Sequence, residues 1–169
     1  MAQALHHAGR YSCWRPFVKV VLVAPEIPHN TGSMGRTCVA LGIELILIKP
    51  YGFSIDSKTV QRAGTRYWQF VQLSEYDSWQ AFIADRQPPR ESLYLFEEDG
   101  PSSFYTPEYD QEGYLVFGCE SAGLPSAIQE AYADRMFHVP MRSAAVKSLN
   151  LSNVATAVMY QALRPSLLG

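Results

Sequence analysis

Phe17-Val18-Lys19-Val20-Val21-Leu22-Val23-Ala24, followed directly by Pro25-Glu26-Ile27-Pro28-His29-Asn30-Thr31-Gly32, is the stretch on which the fold turns. Its first half is a short apolar run rich in β-branched residues, the pattern of a strand buried on both faces. Its second half is a proline-bearing loop that opens a helix predicted over residues 31–41, with Gly42 as the C-terminal stop. Strand, loop and helix form the first half of a βαβ unit. The same alternation returns down the chain.

Residues 44–49 again read as a strand, and Pro50-Tyr51-Gly52 turns the chain. A short helix is predicted over 57–63, closing at Gly64. Residues 67–73 are β-rich in composition, 76–85 read as helix, and Pro88-Pro89 ends that unit. Runs at 92–96, 114–117 and 136–139 complete about six strands, which points to a mostly parallel α/β sheet flanked by helices. The clearest element is the last: Leu151, Val154, Ala155, Val158, Met159 and Ala162 form one apolar helical stripe, with Asn150 as N-cap and Pro165 as the end. No repeat or linker divides the chain, so residues 17–165 read as one domain. Residues 1–16 read as an N-terminal extension, poorly ordered.

The 169-residue chain carries 14 Lys+Arg against 16 Asp+Glu, a net charge of −2, with 47% hydrophobic and 18% charged residues. That usage is globular, and it argues against a broadly basic, indiscriminate nucleic-acid surface while leaving room for a local basic patch. No run approaches the ~18 apolar residues of a membrane span, so no membrane role is expected. Cys13, Cys38 and Cys119 are odd in number and lack C-x-x-C spacing, which favours neither disulfides nor zinc and fits a cytoplasmic setting.

Three loops follow predicted strands and are rich in Gly, Asn and Ser, where ligands bind in open α/β sheets. They are Pro25 to Gly32, Phe117 to Pro125, and Val139 to Asn153. Taken singly, each has a structural explanation: Asn30 can cap a helix, and Gly118 and Gly123 can supply turns. Neither glycine loop matches G-x-G-x-x-G or the Walker pattern.

Together, Asn30-Thr31-Gly32 with Arg36, then Phe117-Gly118-x-Glu120-x-x-Gly123-Leu124-Pro125, then Ser148-Leu149-Asn150-Leu151-Ser152-Asn153 resemble the three motifs of the SPOUT superfamily of knotted RNA methyltransferases. The likeness runs from about Phe17 to Leu163. Glu26-Ile27-Pro28, Pro50-Tyr51-Gly52-Phe53 and Arg62-Ala63-Gly64 look like the small bacterial tRNA 2′-O-methyltransferases acting on the wobble cytidine or uridine, position 34. The resemblance implies a C-terminal deep trefoil knot, which general topology rules would have argued against. It also implies S-adenosylmethionine bent within the knotted loops, and a homodimer whose active site draws on both chains.

By resemblance, Phe96, Gly118, Val139, Ser148 and Leu149 hold the cofactor, small residues allowing close backbone approach. Methyl transfer to a ribose hydroxyl is an in-line displacement that requires no metal; the protein supplies binding and orientation. Arg36 is the family's proposed catalytic residue. A guanidinium stays protonated, so Arg36 suits binding a phosphate and stabilising a developing alkoxide better than acting as a base. Glu120 is expected either to hold Arg36 or to position RNA, and Asn150 to support catalysis while capping its helix. His29 and His138 belong to no motif and read as a loop and a strand histidine.

For RNA, Asn30 and a basic set are expected: Lys58, Arg62 and Arg66 on one face of a helix, with Arg142 and Lys147 in the third loop. The chain departs from the family pattern at Ser143-Ala144-Ala145-Val146, at Lys147, where arginine is frequent, and at the acidic run Glu97-Glu98-Asp99. The resulting expectation is a tRNA wobble 2′-O-methyltransferase. Alternatives are a relative acting on another tRNA or rRNA site, a non-catalytic RNA-binding dimer, and an unrelated nucleotide-binding α/β protein.

Overall fold

A computed structural model describes residues 18–55 and 65–168. The helix expected over 57–63, the extension 1–16, and the candidates Lys58 and Arg62 lie outside the described residues. Arg66 falls in the 3-10 turn Thr65–Phe70, its side chain outside what is described.

Seven strands form one all-parallel sheet: β1 Lys19–Val23, β2 Leu45–Ile48, β3 Leu73–Tyr76, β4 Leu93–Phe96, β5 Ser102–Ser103, β6 Tyr114–Phe117 and β7 Met136–His138. Their order is β3-β2-β1-β6-β4-β7-β5. β1 registers Val21 beside Ile46 of β2 and beside Val116 of β6. Among the described residues the α-helices are α1 Pro28–Leu41, α2 Trp79–Arg86, α3 Ser126–Ala131 and α4 Leu151–Leu168.

Successive strand residues point to opposite faces, and the core divides accordingly. Val20, Leu22, Leu45, Leu47, Leu115 and Phe117 pack with Met34 and Cys38 of α1 and Ala155, Val158 and Met159 of α4. Val21, Val23, Ile46, Ile48, Leu95 and Val116 face the other way, onto Phe82 of α2 and Ile128 of α3. Phe82 is fully buried, edge-on to Tyr114 with ring centroids 5.4 Å apart. Burying such a ring stabilises the fold by about 2–3 kcal/mol. Opposite, α1 and α4 are further joined by the Thr37 and Thr156 hydroxyls at 3.3 Å.

Four expectations are corrected. α1 begins at Pro28 rather than residue 31, because proline at the first helical position loses no intrahelical bond. The aromatic run 67–73 is mostly the 3-10 turn, packed on α1: a Cβ at Gly35 would meet the Trp68 ring, so the missing side chain is the room that ring occupies. β3 starts at Leu73 instead, and α2 starts at Trp79 because the Ser78 hydroxyl accepts the Ala81 N–H at 3.1 Å. Pro165 does not end α4, which continues to Leu168. There the Ser166 hydroxyl donates to the Leu163 carbonyl at 2.8 Å. The seventh strand, β5, and the short α3 add to the predicted set.

Candidate active site

All strands run the same way, so the loops leaving β1, β4, β6 and β7 share one sheet edge. β6 lies between β1 and β4, which sets the loop after β6 beside the loop after β1. This is where ligands enter such sheets.

Two carboxylates lace those loops together. Glu120 accepts the backbone N–H of Glu26 at 2.8 Å and of Ile27 at 3.3 Å. Glu26 reciprocates, accepting the Ser121 N–H at 3.0 Å and its hydroxyl at 2.8 Å. Glu120 also accepts the Asn30 side-chain amide at 2.9 Å. The carboxylate offers no donor, so it fixes the Asn30 amide with its oxygen turned away. That oxygen accepts the Asn150 side-chain amide at 2.9 Å, and the Asn150 oxygen caps α4 through the Ser152 N–H at 2.9 Å and hydroxyl at 2.6 Å. Glu120, Asn30 and Asn150 thus form one oriented relay joining three segments far apart in sequence.

The loop after β6 folds back on itself. Cys119 donates to the Gly123 carbonyl at 3.1 Å and accepts the Gly123 N–H at 3.0 Å. Gly123 has φ of +69°, the left-handed region that favours glycine. A Cβ at Gly118 would fall on the Gly123 carbonyl carbon and the Leu124 nitrogen, so the close approach at this point is backbone to backbone. The third loop is different in kind. Residues 141–150 are all exposed, and among the described residues no backbone–backbone hydrogen bond engages residues 139–149.

Between the loops lies a cleft of about 690 Å³, lined by Phe96, Gly118, Val139, Ser148 and Leu149, with Asn30, Glu120, Asn150 and Lys147 also on its walls. All five expected cofactor residues therefore converge there. Its size falls within the range of small-molecule sites. Apolar Phe96, Val139, Leu149 and Leu151 give it a floor for an aromatic base, and Glu97, Glu98 and Asp99 make one side acidic.

Arg36 and Arg142 are not among the lining residues. Arg36 sits six residues beyond Asn30 on α1, roughly 9 Å along the axis and about 240° around it, so it leaves the helix on another side. Glu120 does not hold it, correcting that expectation, because Glu120 is engaged by Glu26, Ile27 and Asn30. Instead the exposed Arg36 guanidinium lies over the Tyr67 ring, 5.2 Å from its centroid. His29 lies in the first turn of α1 and is exposed, not in a loop. His138 ends β7, its Nδ1 2.6 Å from the Gly100 carbonyl.

Sequence reasoning passed over Tyr67 as the partner of Arg36, and over Glu97 and Gln129 as parts of the cleft. Glu97 directly follows β4, and that position at a strand's carboxyl end was the available signal. Gln129 donates to the Leu124 carbonyl at 2.7 Å; it lies on the short helix that the sequence pattern left unmarked.

Comparison with known proteins agrees with this architecture. Residues 18–160 match the SpoU rRNA Methylase family. The tRNA (cytidine(34)-2′-O)-methyltransferase of Burkholderia cenocepacia strain HI2424 is 38% identical over 146 residues, covering 86% of this chain and 93% of that protein. A solved structure described as giving insight into 2-OH methylation of C/U34 on tRNA is 37% identical with a TM-score of 0.82, covering 90% of this chain and 97% of that one. The SpoU methyltransferase AviRb from Streptomyces viridochromogenes, solved with the cofactor AdoMet, is 26% identical with a TM-score of 0.78, over 93% of this chain and 64% of that chain. With the sheet, the three loops and the cleft in place, this chain belongs to the SpoU rRNA methylase family of RNA methyltransferases.

Proposed function

We propose that this chain methylates the ribose 2′-hydroxyl of the wobble cytidine or uridine of tRNA, using S-adenosylmethionine. The observation that carries the reading is the convergence of the three motif segments on one cleft through the Glu120–Asn30–Asn150 relay. Support for the substrate comes from the wobble-nucleotide enzyme it resembles along nearly the whole of both chains.

The residues fit the cofactor. Phe96, Val139, Leu149 and Leu151 can enclose an adenine, and the exposed backbone of the loop before α4, which no other backbone group engages among the described residues of 139–149, offers donors and acceptors to read its edge. When bound, S-adenosylmethionine supplies an electrophilic methyl group on a sulfonium. The chain supplies orientation: the relay holds the loops, Gly118 keeps the cleft floor thin, and Lys147 offers positive charge at the rim. Arg36, permanently protonated, binds an RNA phosphate and stabilises the negative charge that develops on the ribose oxygen as the hydroxyl passes its proton to water. Glu120 and Asn150 act as braces, since their hydrogen-bonding groups are engaged within the protein.

The enzyme acts as a homodimer in this reading. Arg36 faces away from its own chain's cleft, which supports a site completed by a second copy. Exposed Met141, Val146 and Leu149 in the third loop and Tyr160, Leu167 and Leu168 on α4 offer apolar surface for that contact. The trefoil knot and a cytoplasmic location belong to the same proposal. The knot is supported by α4 returning to pack on α1 while the segment before it lines the same cleft as the loop after β6. Among the described residues no helix is long and apolar enough to cross a membrane.

The test is incubation with methyl-labelled S-adenosylmethionine and total tRNA, followed by mapping of 2′-O-methyl nucleotides. Label at nucleotide 34 is expected. Absence of transfer with cofactor binding intact would replace this reading with a non-catalytic RNA-binding one.

A further inference from the structure

Glu97 is a half-buried carboxylate on the wall of the cleft, and the functional reading above gives it no task. Its backbone N–H donates to the Phe137 carbonyl at 3.0 Å, tying the end of β4 to β7. Its own carbonyl accepts the Gly100 N–H at 3.4 Å. Its side chain reaches the other way, into the loop after β6, where Oε1 accepts the Leu124 N–H. A Cβ added at Gly123 would lie 2.7 Å from that same Oε1. One residue therefore links β4, β7 and the returning limb of the β6 loop.

Burial disfavours the charged form of this carboxylate. Burial pushes the Glu97 carboxyl up from its ordinary range, and the neighbouring Asp99 and Glu98 add to the rise; the Leu124 hydrogen bond acts against it. The carboxylate has two oxygens in a plane, and the bond to Leu124 uses Oε1, aiming it at the segment whose backbone closes on Gly118.

We infer that Glu97 is a positioning residue for the cofactor: its carboxylate clamps the Gly118–Leu124 loop onto the ends of β4 and β7 and so sets the shape of the cleft. The inference rests on the proposal that this cleft takes S-adenosylmethionine. The length of the side chain is what matters, since the carboxylate must cross from β4 to Leu124. Glu97→Gln keeps both reach and an acceptor oxygen. Glu97→Asp keeps the charge but falls one methylene short.

The experiment measures S-adenosylhomocysteine affinity by calorimetry for the full chain and for Glu97→Gln, Glu97→Asp and Glu97→Ala, with hydrogen exchange at the Leu124 amide. Binding by the unchanged protein tests the cofactor reading itself; its absence would overturn that reading and this inference with it. Given binding, Glu97→Asp and Glu97→Ala are expected to weaken affinity about tenfold and to speed exchange at Leu124. Glu97→Gln should stay within about twofold of the unchanged protein. Aspartate and alanine variants that bind as tightly as the unchanged protein would overturn the clamp. So would a glutamine variant as weak as alanine. If the alanine variant does not fold, the aspartate and glutamine pair decides.

Discussion

Replacing Glu120 by alanine removes the acceptor shared by three donors, and the structure sets the cost of each loss. The Asn30 amide is the expensive one, because Asn30 is only 3% exposed and is left without its partner; an unsatisfied buried donor costs about 1–3 kcal/mol. The Glu26 and Ile27 N–H groups are exposed, so water replaces the carboxylate there at about 0.5 kcal/mol each. Relief of the repulsion between the exposed Glu26 carboxylate and Glu120 returns less than about 1 kcal/mol. The net loss is about 2 kcal/mol, a fall in Tm of roughly 6 °C for a domain of this size. Glu120→Gln keeps an oxygen toward Ile27 and Asn30 but turns an amide donor toward the Glu26 N–H. It is expected to lose about half as much. Circular dichroism melts at one fixed protein concentration measure this, since the proposed dimer would make Tm concentration-dependent. A Glu120→Ala variant melting within about 2 °C of the unchanged protein would refute the brace, as would a glutamine variant no better than alanine.

Arg36→Ala is expected to abolish detectable methylation while lowering stability by under about 1 kcal/mol, the worth of an exposed cation–π contact with Tyr67; turnover near that of the unchanged protein would remove Arg36 from the chemistry. Gly118→Ala should weaken cofactor binding and lower Tm together, because the new Cβ displaces the Gly123–Leu124 backbone that forms the cleft wall; unchanged affinity by calorimetry would show that this wall does not shape the site. Burial pushes the Cys38 thiol up to about 12 from an ordinary 9.0. Cys38 should therefore resist iodoacetamide in the native protein at pH 8 while Cys119, half-buried, is modified, which peptide mass mapping distinguishes. Since the folded value is the higher one, the Cys38 contribution to stability is full below 9.0 and declines as pH rises from there toward about 12.

Strands β1, β2, β4, β6 and β7 were legible because each is a short apolar run buried on both faces, bounded by Gly, Pro or charge. The terminal helix was legible from its stripe. The aromatic segment Tyr67-Trp68 misled because tertiary packing decided it: Trp68 fits over Gly35, a contact no local pattern announces. β5, two residues long, carries too little pattern to read. In the site, motif resemblance brought Phe96, Gly118, Val139, Ser148 and Leu149 to one cleft, yet the partners of Glu120 could not be read from spacing. Two of them are backbone N–H groups, which every residue but proline possesses. Nor does spacing show that Arg36 faces away from Asn30 until the helix is known to start at Pro28 and to run unbroken through both.

The strand order also dictates when the molecule can become itself. β1 meets β2 on one side as soon as residues 45–48 exist, but its other edge waits for β6, and so for everything between residues 49 and 113. Asn30 then waits longer still, until Asn150 arrives with the last helix. A nascent chain released early holds half a sheet with an open hydrogen-bonding edge, a template for unwanted pairing, and no working pocket. If the proposed site is the working one, its completion waits for the last helix, and a truncated product exposes an unfinished sheet edge rather than a weakened pocket.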